Sequence, residues 1–216
     1  MSVSKVMTSI WGPLGWMALH SVSSCYPDSP LPAERTLIYT WLDMFQSTIT
    51  CPSCKEHFGQ SLNGYRRLHS EMLNSRTDFM LAVFRLHNTV NRKLNKPVYT
   101  SVADCFEQLR TNVKTRSARE YRAAYLNHIR RFWRTMQDAS GFTALKKINE
   151  MSKIEIDYVQ RHENNFEVSI PEANVLPIGP ALEAIQPGAE QPPPIRLDTR
   201  SVPRMGLING RFQARR

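Results

Sequence analysis

The chain has 216 residues, with 28 lysines and arginines against 19 aspartates and glutamates, a net charge of +9 and an apolar fraction of 41%. That apolar content is enough for a core without metal or disulfide staples, and the length allows one compact domain with extensions or two small ones. Four cysteines are too few for a secreted disulfide scaffold. The best candidate for a membrane span, near the N-terminus, is broken by Gly12, Pro13, Gly15 and His20, and no signal-peptide pattern is present. A soluble protein outside the secretory pathway is expected.

Trp11, Trp16, Leu19 and Val22 keep helical spacing and predict a first helix that stops at Tyr26-Pro27-Asp28. From Ala33, the residues Leu37, Ile38, Trp41, Leu42, Phe45 and Ile49 recur at three- and four-residue steps, a second helix running toward Cys51. The turn at Pro52-Ser53 starts a third, short helix through Phe58 and Leu62, ended by Asn63-Gly64. A fourth begins near Thr77-Asp78, carries Phe79, Val83, Leu86, Val90 and Leu94 on one face, and stops at Lys96-Pro97. Ser101 caps a short fifth helix containing Cys105, Phe106 and Leu109.

Five helices with short connections, over residues 1–112, make a small all-α bundle. Residues 113–165 form a different, basic extension. Tyr121, Tyr125, Ile129, Phe132, Trp133 and Met136 make an aromatic stripe, read as core or a subunit contact. Opposite it Lys114, Arg116, Arg119, Arg122, Arg130, Arg131 and Arg134 form an electropositive face opposed only by Glu120. A solvated helix or an acidic partner explains such a face better than nucleic acid, for which no recognised module is present. Gly141 breaks this helix, and one more follows from Phe142 to about His162, although Ile154, Ile156 and Tyr158 alternate as in a strand. Residues 166–216 shift to Pro, Gly, Gln and Ala and read as a disordered tail or an extended arm.

The chemistry centres on Cys51-Pro52-Ser53-Cys54. Two intervening residues suit either a redox dithiol or half of a zinc site. Placed at a helix start, a thiol is acidified because free N–H groups and the helix dipole favour the anion. Zinc needs four ligands, and Cys25 and Cys105 are isolated, although His57 or His69 could contribute. A thioredoxin-like fold would place the pair after a strand, whereas Leu37 to Ile49 repeats as a helix.

Three clusters in order carry a resemblance: Trp11-Gly12-Pro13 through Trp16, Leu19-His20 and Tyr26-Pro27; Cys51 and Cys54 followed by His57-Phe58; and His87-Asn88 through Val90-Asn91, Leu94 and Lys96-Pro97. Together, over about residues 8 to 110, they resemble the Erv/ALR family of FAD-dependent sulfhydryl oxidases. The resemblance implies a four-helix bundle holding FAD at its mouth, a short fifth helix across it, and homodimerisation. It implies Cys54 as the flavin-proximal sulfur and Cys51 as the interchange sulfur. Electrons then pass from substrate thiols through the pair and flavin to oxygen, giving hydrogen peroxide. Trp16, His20, Tyr26 and Phe58 match residues around the flavin; His87, Asn88 and Asn91 match polar and stacking contacts; Lys93 and Lys96 match cationic contacts to the pyrophosphate.

Two departures qualify the match. Family members often carry a second cysteine pair bracketing the His-Asn motif, where this chain has Phe84 and Ser101. The other departure is that no additional Cys-x-x-Cys shuttle is present, so Cys51 is expected to meet its reductant directly, in a thioredoxin-like or small dithiol protein. This pattern looks most like the members of large DNA viruses, which oxidise virion proteins in the host cytoplasm. The alternative from another class is a non-enzymatic zinc or virion scaffold protein with a basic partner-binding face.

Overall fold

A computed structural model describes residues 3–170 and the segments 205–208 and 211–214. The helices are α1 (Val3–Ser24), α2 (Pro32–Thr48), α3 (Pro52–Leu68), α4 (Arg76–Lys93), α5 (Val102–Val113), α6 (Ala118–Arg134) and α7 (Ala139–Asp157), followed by a 3-10 turn, Val159–His162. None of the described helices is long and apolar enough to cross a membrane. Their starts are set locally. Ser75 and Ser101 accept the backbone N–H of Asp78 and Asp104, at 3.1 and 3.0 Å. Ser117 and Glu120 form a reciprocal capping box on α6.

The first four helices pack around one core containing Leu19, Val22, Ile38, Leu42, Phe45, Phe58, Leu62, Phe79, Val83 and Leu86. A second cluster lies between α4 and α5, where Met80, Phe84, Val102, Cys105 and Phe106 meet the buried Phe166. The all-α class expected from the periodicity is the class observed. The third helix, however, does not stop at Asn63-Gly64: it continues to Leu68, because Tyr65, 2% exposed, extends the buried stripe of Phe58 and Leu62. One glycine inside a helix costs about 1 kcal/mol, less than that burial returns.

The described residues through Ile170 form one compact unit in which α6 packs on α1, and α7 packs on α6 and α2. The break between α6 and α7 is not at Gly141 but at Thr135–Asp138. Asp138 caps α7 by accepting the Gly141 N–H at 2.8 Å, so that glycine sits in the first turn. A Cβ there would lie 2.2 Å from the Met136 carbonyl oxygen, which is why the corner needs glycine. The strand-like alternation near Ile154 is helix to Asp157.

Arg122 does not belong to the electropositive face. It is 2% exposed, its Nε donates to both carboxylate oxygens of Glu155 at 3.0 and 2.9 Å, and its guanidinium also pairs with Glu163 and Ser21. That knot ties α6 to α7, to the turn beyond it and to α1.

Of the C-terminal tail, Val168 and Ile170 pack against the second cluster, and Asn165 accepts the Ala118 N–H at 3.3 Å. Residues 171–204, 209–210 and 215–216 lie outside the described residues. A separate unit contains an antiparallel pair, β1 (Met205–Ile208) with β2 (Arg211–Ala214), in the register Met205 opposite Ala214.

Candidate active site

Cys51 is the N-cap of α3, with Pro52 in the first turn where its missing N–H costs nothing. Cys51 and Cys54 are joined as a disulfide, their Cα atoms 5.2 Å apart. The Cys54 N–H points at the Cys51 sulfur, 3.3 Å away, and the Ser53 hydroxyl is 3.4 Å from the same sulfur. Negative charge released on Cys51 by reduction would therefore meet a backbone donor, a hydroxyl and the positive end of α3. Gln46 of α2 holds this first turn in place by donating to the Lys55 carbonyl at 3.0 Å. Cys51 is 7% exposed and Cys54 half-buried.

Cys54 and Phe58 are four residues apart and share one face of α3. The Phe58 ring meets Trp16 of α1 edge-on, with centroids 6.0 Å apart. Trp16 stacks on His87 of α4 at 4.1 Å and 11°. His20, one turn along α1, puts its Nε2 3.0 Å from His87 Nδ1. The three sequence clusters thus converge: the sulfur pair, Phe58, Trp16, His20 and His87 form one aromatic path from the start of α3 into the bundle.

Burial holds His20 well below the usual imidazole range, with His87 adding to the effect. Burial and then the Lys96 ammonium push His87 down to about 4. Both rings are neutral near pH 7, so one donates to the other. Whichever tautomer holds, His20 Nδ1 stays buried without a partner, the kind of orphaned polar atom that a bound group satisfies. Asn91 lies one turn beyond His87 on the same face and is 8% exposed. After it α4 closes with Asn95 at φ 51° and the Lys96 N–H on the Asn91 carbonyl, 2.8 Å, a Schellman turn. That turn brings the exposed Lys93 and Lys96 to the end of the helix that carries His87. Neutral stacking rings, an unpaired buried nitrogen and two solvent-facing ammonium groups fit a large planar cofactor with an anionic tail.

Two of the expected residues are engaged elsewhere. Tyr26 sits at the far end of α1, fully buried, its hydroxyl donating to the Leu73 carbonyl at 3.0 Å and its ring edge-on to Phe79. Asn88 pairs with the backbone of Tyr99 in both directions, at 2.9 and 3.0 Å, and so fastens the loop before α5 to α4. Phe106 and Tyr99 were not anticipated as site residues. Phe106 meets His20 edge-on at 6.5 Å and Tyr99 meets His87 at 6.1 Å; the apolar pattern of the fifth helix was the available signal for Phe106. Phe84 and Ser101, the two positions at which the resemblance would place a second cysteine pair, are otherwise employed: Phe84 is 2% exposed in the second cluster, and Ser101 caps α5. Cys25 and Cys105 are free and buried, and burial pushes their thiols up, to about 11 and about 12. Among the described residues no three His, Cys, Asp or Glu side chains converge as metal ligands. The His69 side chain instead bonds Glu71 at 2.9 Å.

A disulfide at a helix start, leading through stacked aromatics into an all-helical bundle, defines a dithiol redox protein of the helical-bundle class. Sequence comparison gives the family. The Erv1 / Alr family profile matches residues 14–117. An FAD-linked sulfhydryl oxidase of African swine fever virus (isolate Pig/Kenya/KEN-50/1950) is 30% identical over 100 residues, 45% of this chain and 81% of that protein. The FAD-linked sulfhydryl oxidase ERV2 of Saccharomyces cerevisiae is 28% identical over 88 residues, 41% of this chain and 43% of that protein. No solved structure matches significantly. The chain belongs to the Erv1/Alr family.

Proposed function

We propose that the chain is an FAD-linked thiol oxidase that forms disulfides in protein substrates. The observation that carries this reading is the Cys51–Cys54 disulfide at the start of α3, continuous through Phe58 with the Trp16, His20 and His87 cluster. The names of the viral and yeast relatives support it.

A substrate thiolate attacks the Cys51 sulfur; a mixed disulfide forms, the Cys51–Cys54 bond breaks, and its electron pair leaves on Cys54. A second substrate thiolate then attacks the substrate sulfur of that mixed disulfide. The product disulfide departs and Cys51 is released as a thiolate, stabilised by the Cys54 N–H and the start of α3. The directional assignment rests on Cys54 sharing its helix face with Phe58. Trp16, His20, His87 and Asn91 would hold the isoalloxazine and adenine ends of FAD, and Lys93 and Lys96 its phosphates. Bound there, FAD supplies a two-electron acceptor for the reduced pair and a route for those electrons and two protons to molecular oxygen, giving hydrogen peroxide.

The purified protein should be yellow and consume oxygen with dithiothreitol; a colourless, folded protein inert to dithiols would sink the reading. Cys54→Ser should abolish oxidation and keep the flavin spectrum, because it removes a sulfur and not the pocket. Cys51→Ser should stop turnover of protein thiols, and unchanged turnover would reverse the order of the two sulfurs. Homodimerisation, to be checked by sedimentation, and action in the host cytoplasm and virion, to be checked by fractionation of infected cells, belong to the same proposal.

A further inference from the structure

The corner between α6 and α7 exposes apolar side chains and is tied to the end of α2, which leads to the disulfide. Phe142 is 74% exposed and Met136 40%. They are neighbours, because Met136 Cβ lies 2.9 Å from where a Gly141 Cβ would stand, one residue before Phe142. Phe132, half-buried and one turn before Met136, meets Trp133 edge-on with centroids 5.2 Å apart. Single exposed apolar residues are ordinary, but two aromatics and a methionine on one corner form a patch.

The corner is fixed in place. The Trp133 indole N–H donates to the Thr48 carbonyl at 2.8 Å, and Lys147 Nζ reaches the Ser47 hydroxyl at 3.0 Å. Both anchors lie on the last turn of α2, and Thr48 is only three residues before Cys51. Three residues of chain span at most about 11 Å. A protein docking on about 800 Å² of one partner covers a disc roughly 16 Å in radius, wide enough to reach from the patch to the cysteine pair. Arg131 and Arg134 stand in the last turns of the same helix, to the basic side of the patch, exposed and without an ion pair among the described residues. The nearest acid on the corner, Asp138, has its carboxylate committed to the Ser140 hydroxyl and the Gly141 N–H.

We propose that this corner is the docking surface for the protein substrate, and that the substrate presents its dithiol from an apolar patch with acidic residues along one side. The proposal rests on the thiol-oxidase reading and adds a partner chemistry to it. An apolar patch with a basic side divides the work: Phe142 and Met136 anchor, and the arginines steer the encounter. Dithiothreitol needs neither, because it reaches the pair by diffusion alone.

The test compares dithiothreitol with two reduced thioredoxins, one acidic and one basic in net charge, on the flavin-loaded full chain. Oxygen uptake should show higher kcat/KM for the acidic thioredoxin, and raising the salt should erase that preference. Phe142→Ser should lower kcat/KM for the acidic thioredoxin about tenfold and leave dithiothreitol turnover unchanged. Arg131→Glu with Arg134→Glu should flatten its salt dependence. Equal kcat/KM for the two thioredoxins, or thioredoxin turnover unchanged by all these substitutions, overturns the proposal. So does a parallel fall for dithiothreitol and thioredoxin, which would place the corner's effect on the pair itself. Failure of the unaltered protein to oxidise dithiothreitol is a different result, and it removes the thiol-oxidase reading.

Discussion

Replacing Arg122 by methionine keeps most of the side-chain volume and removes the charge that the knot is built around. Glu155, 7% exposed, would then be a carboxylate buried without its bidentate partner, while Glu163, with a quarter of its side chain in solvent, could turn outward. Removing one member of a buried ion pair costs about 3–5 kcal/mol, mostly because the other charge is left uncompensated. For a domain of this size each kcal/mol lowers Tm by about 2–4 °C, so a fall of roughly 6–20 °C is expected. Urea denaturation followed by far-ultraviolet dichroism measures the loss directly as a shift in midpoint. The second variant, Arg122→Met with Glu155→Gln, should recover a substantial part of it, because the stranded charge has gone. A loss below about 1 kcal/mol, or a double variant no more stable than the single one, would refute the view that α6 and α7 are held to α1 by this cluster.

Asn88→Ala removes both hydrogen bonds to the Tyr99 backbone and leaves a buried N–H and carbonyl unpaired, a loss of about 2–3 kcal/mol. Because Tyr99 borders His87, faster flavin release should accompany that loss, read by gel filtration and the visible spectrum. The desolvated histidines, His20 buried and His87 half-buried, set a pH dependence for the flavin-free protein. His87 takes up its proton at about 4 when folded and near 6.5 when unfolded. Between those values the unfolded chain binds more protons, so this stability is fully present above 6.5 and is lost as pH falls toward 4. The depressed His87 alone accounts for about 2–3 kcal/mol between pH 7.5 and 4.5. Equal urea midpoints at the two pH values would show that the imidazoles are not desolvated as described.

The bundle and the residues of the candidate site were picked out because their signals are local or repetitive. Helical spacing located α1 to α5, and the Cys51–Cys54 gap, the Trp16–His20 step and the His87–Asn91 step each place side chains on one helix face. That those faces belong to one site was what the family resemblance implied, and the structure stacks Trp16 on His87. What escaped depended on partners distant in sequence. Asn63-Gly64 reads as a helix stop until Tyr65 is seen to be buried. Arg122 reads as one more cation on a basic face until Glu155 and Glu163, 33 and 41 residues away, are brought to it. Tyr26 and Asn88 bond Leu73 and Tyr99, partners that no spacing rule reports. The short strand pair β1–β2 also went unread, although Asn209-Gly210 between the strands is the dipeptide that tight hairpins favour.

The paired amide of Asn88 has a consequence for how the protein comes into being. Within the described residues every tie that shapes the bundle, from that amide to the apolar packing around Phe84 and the Arg122 cluster, is indifferent to redox state, and the one disulfide lies at the point of exchange. The bundle can therefore mature with all of its sulfurs reduced. A fold assembled in that way does not wait for an oxidant before it closes.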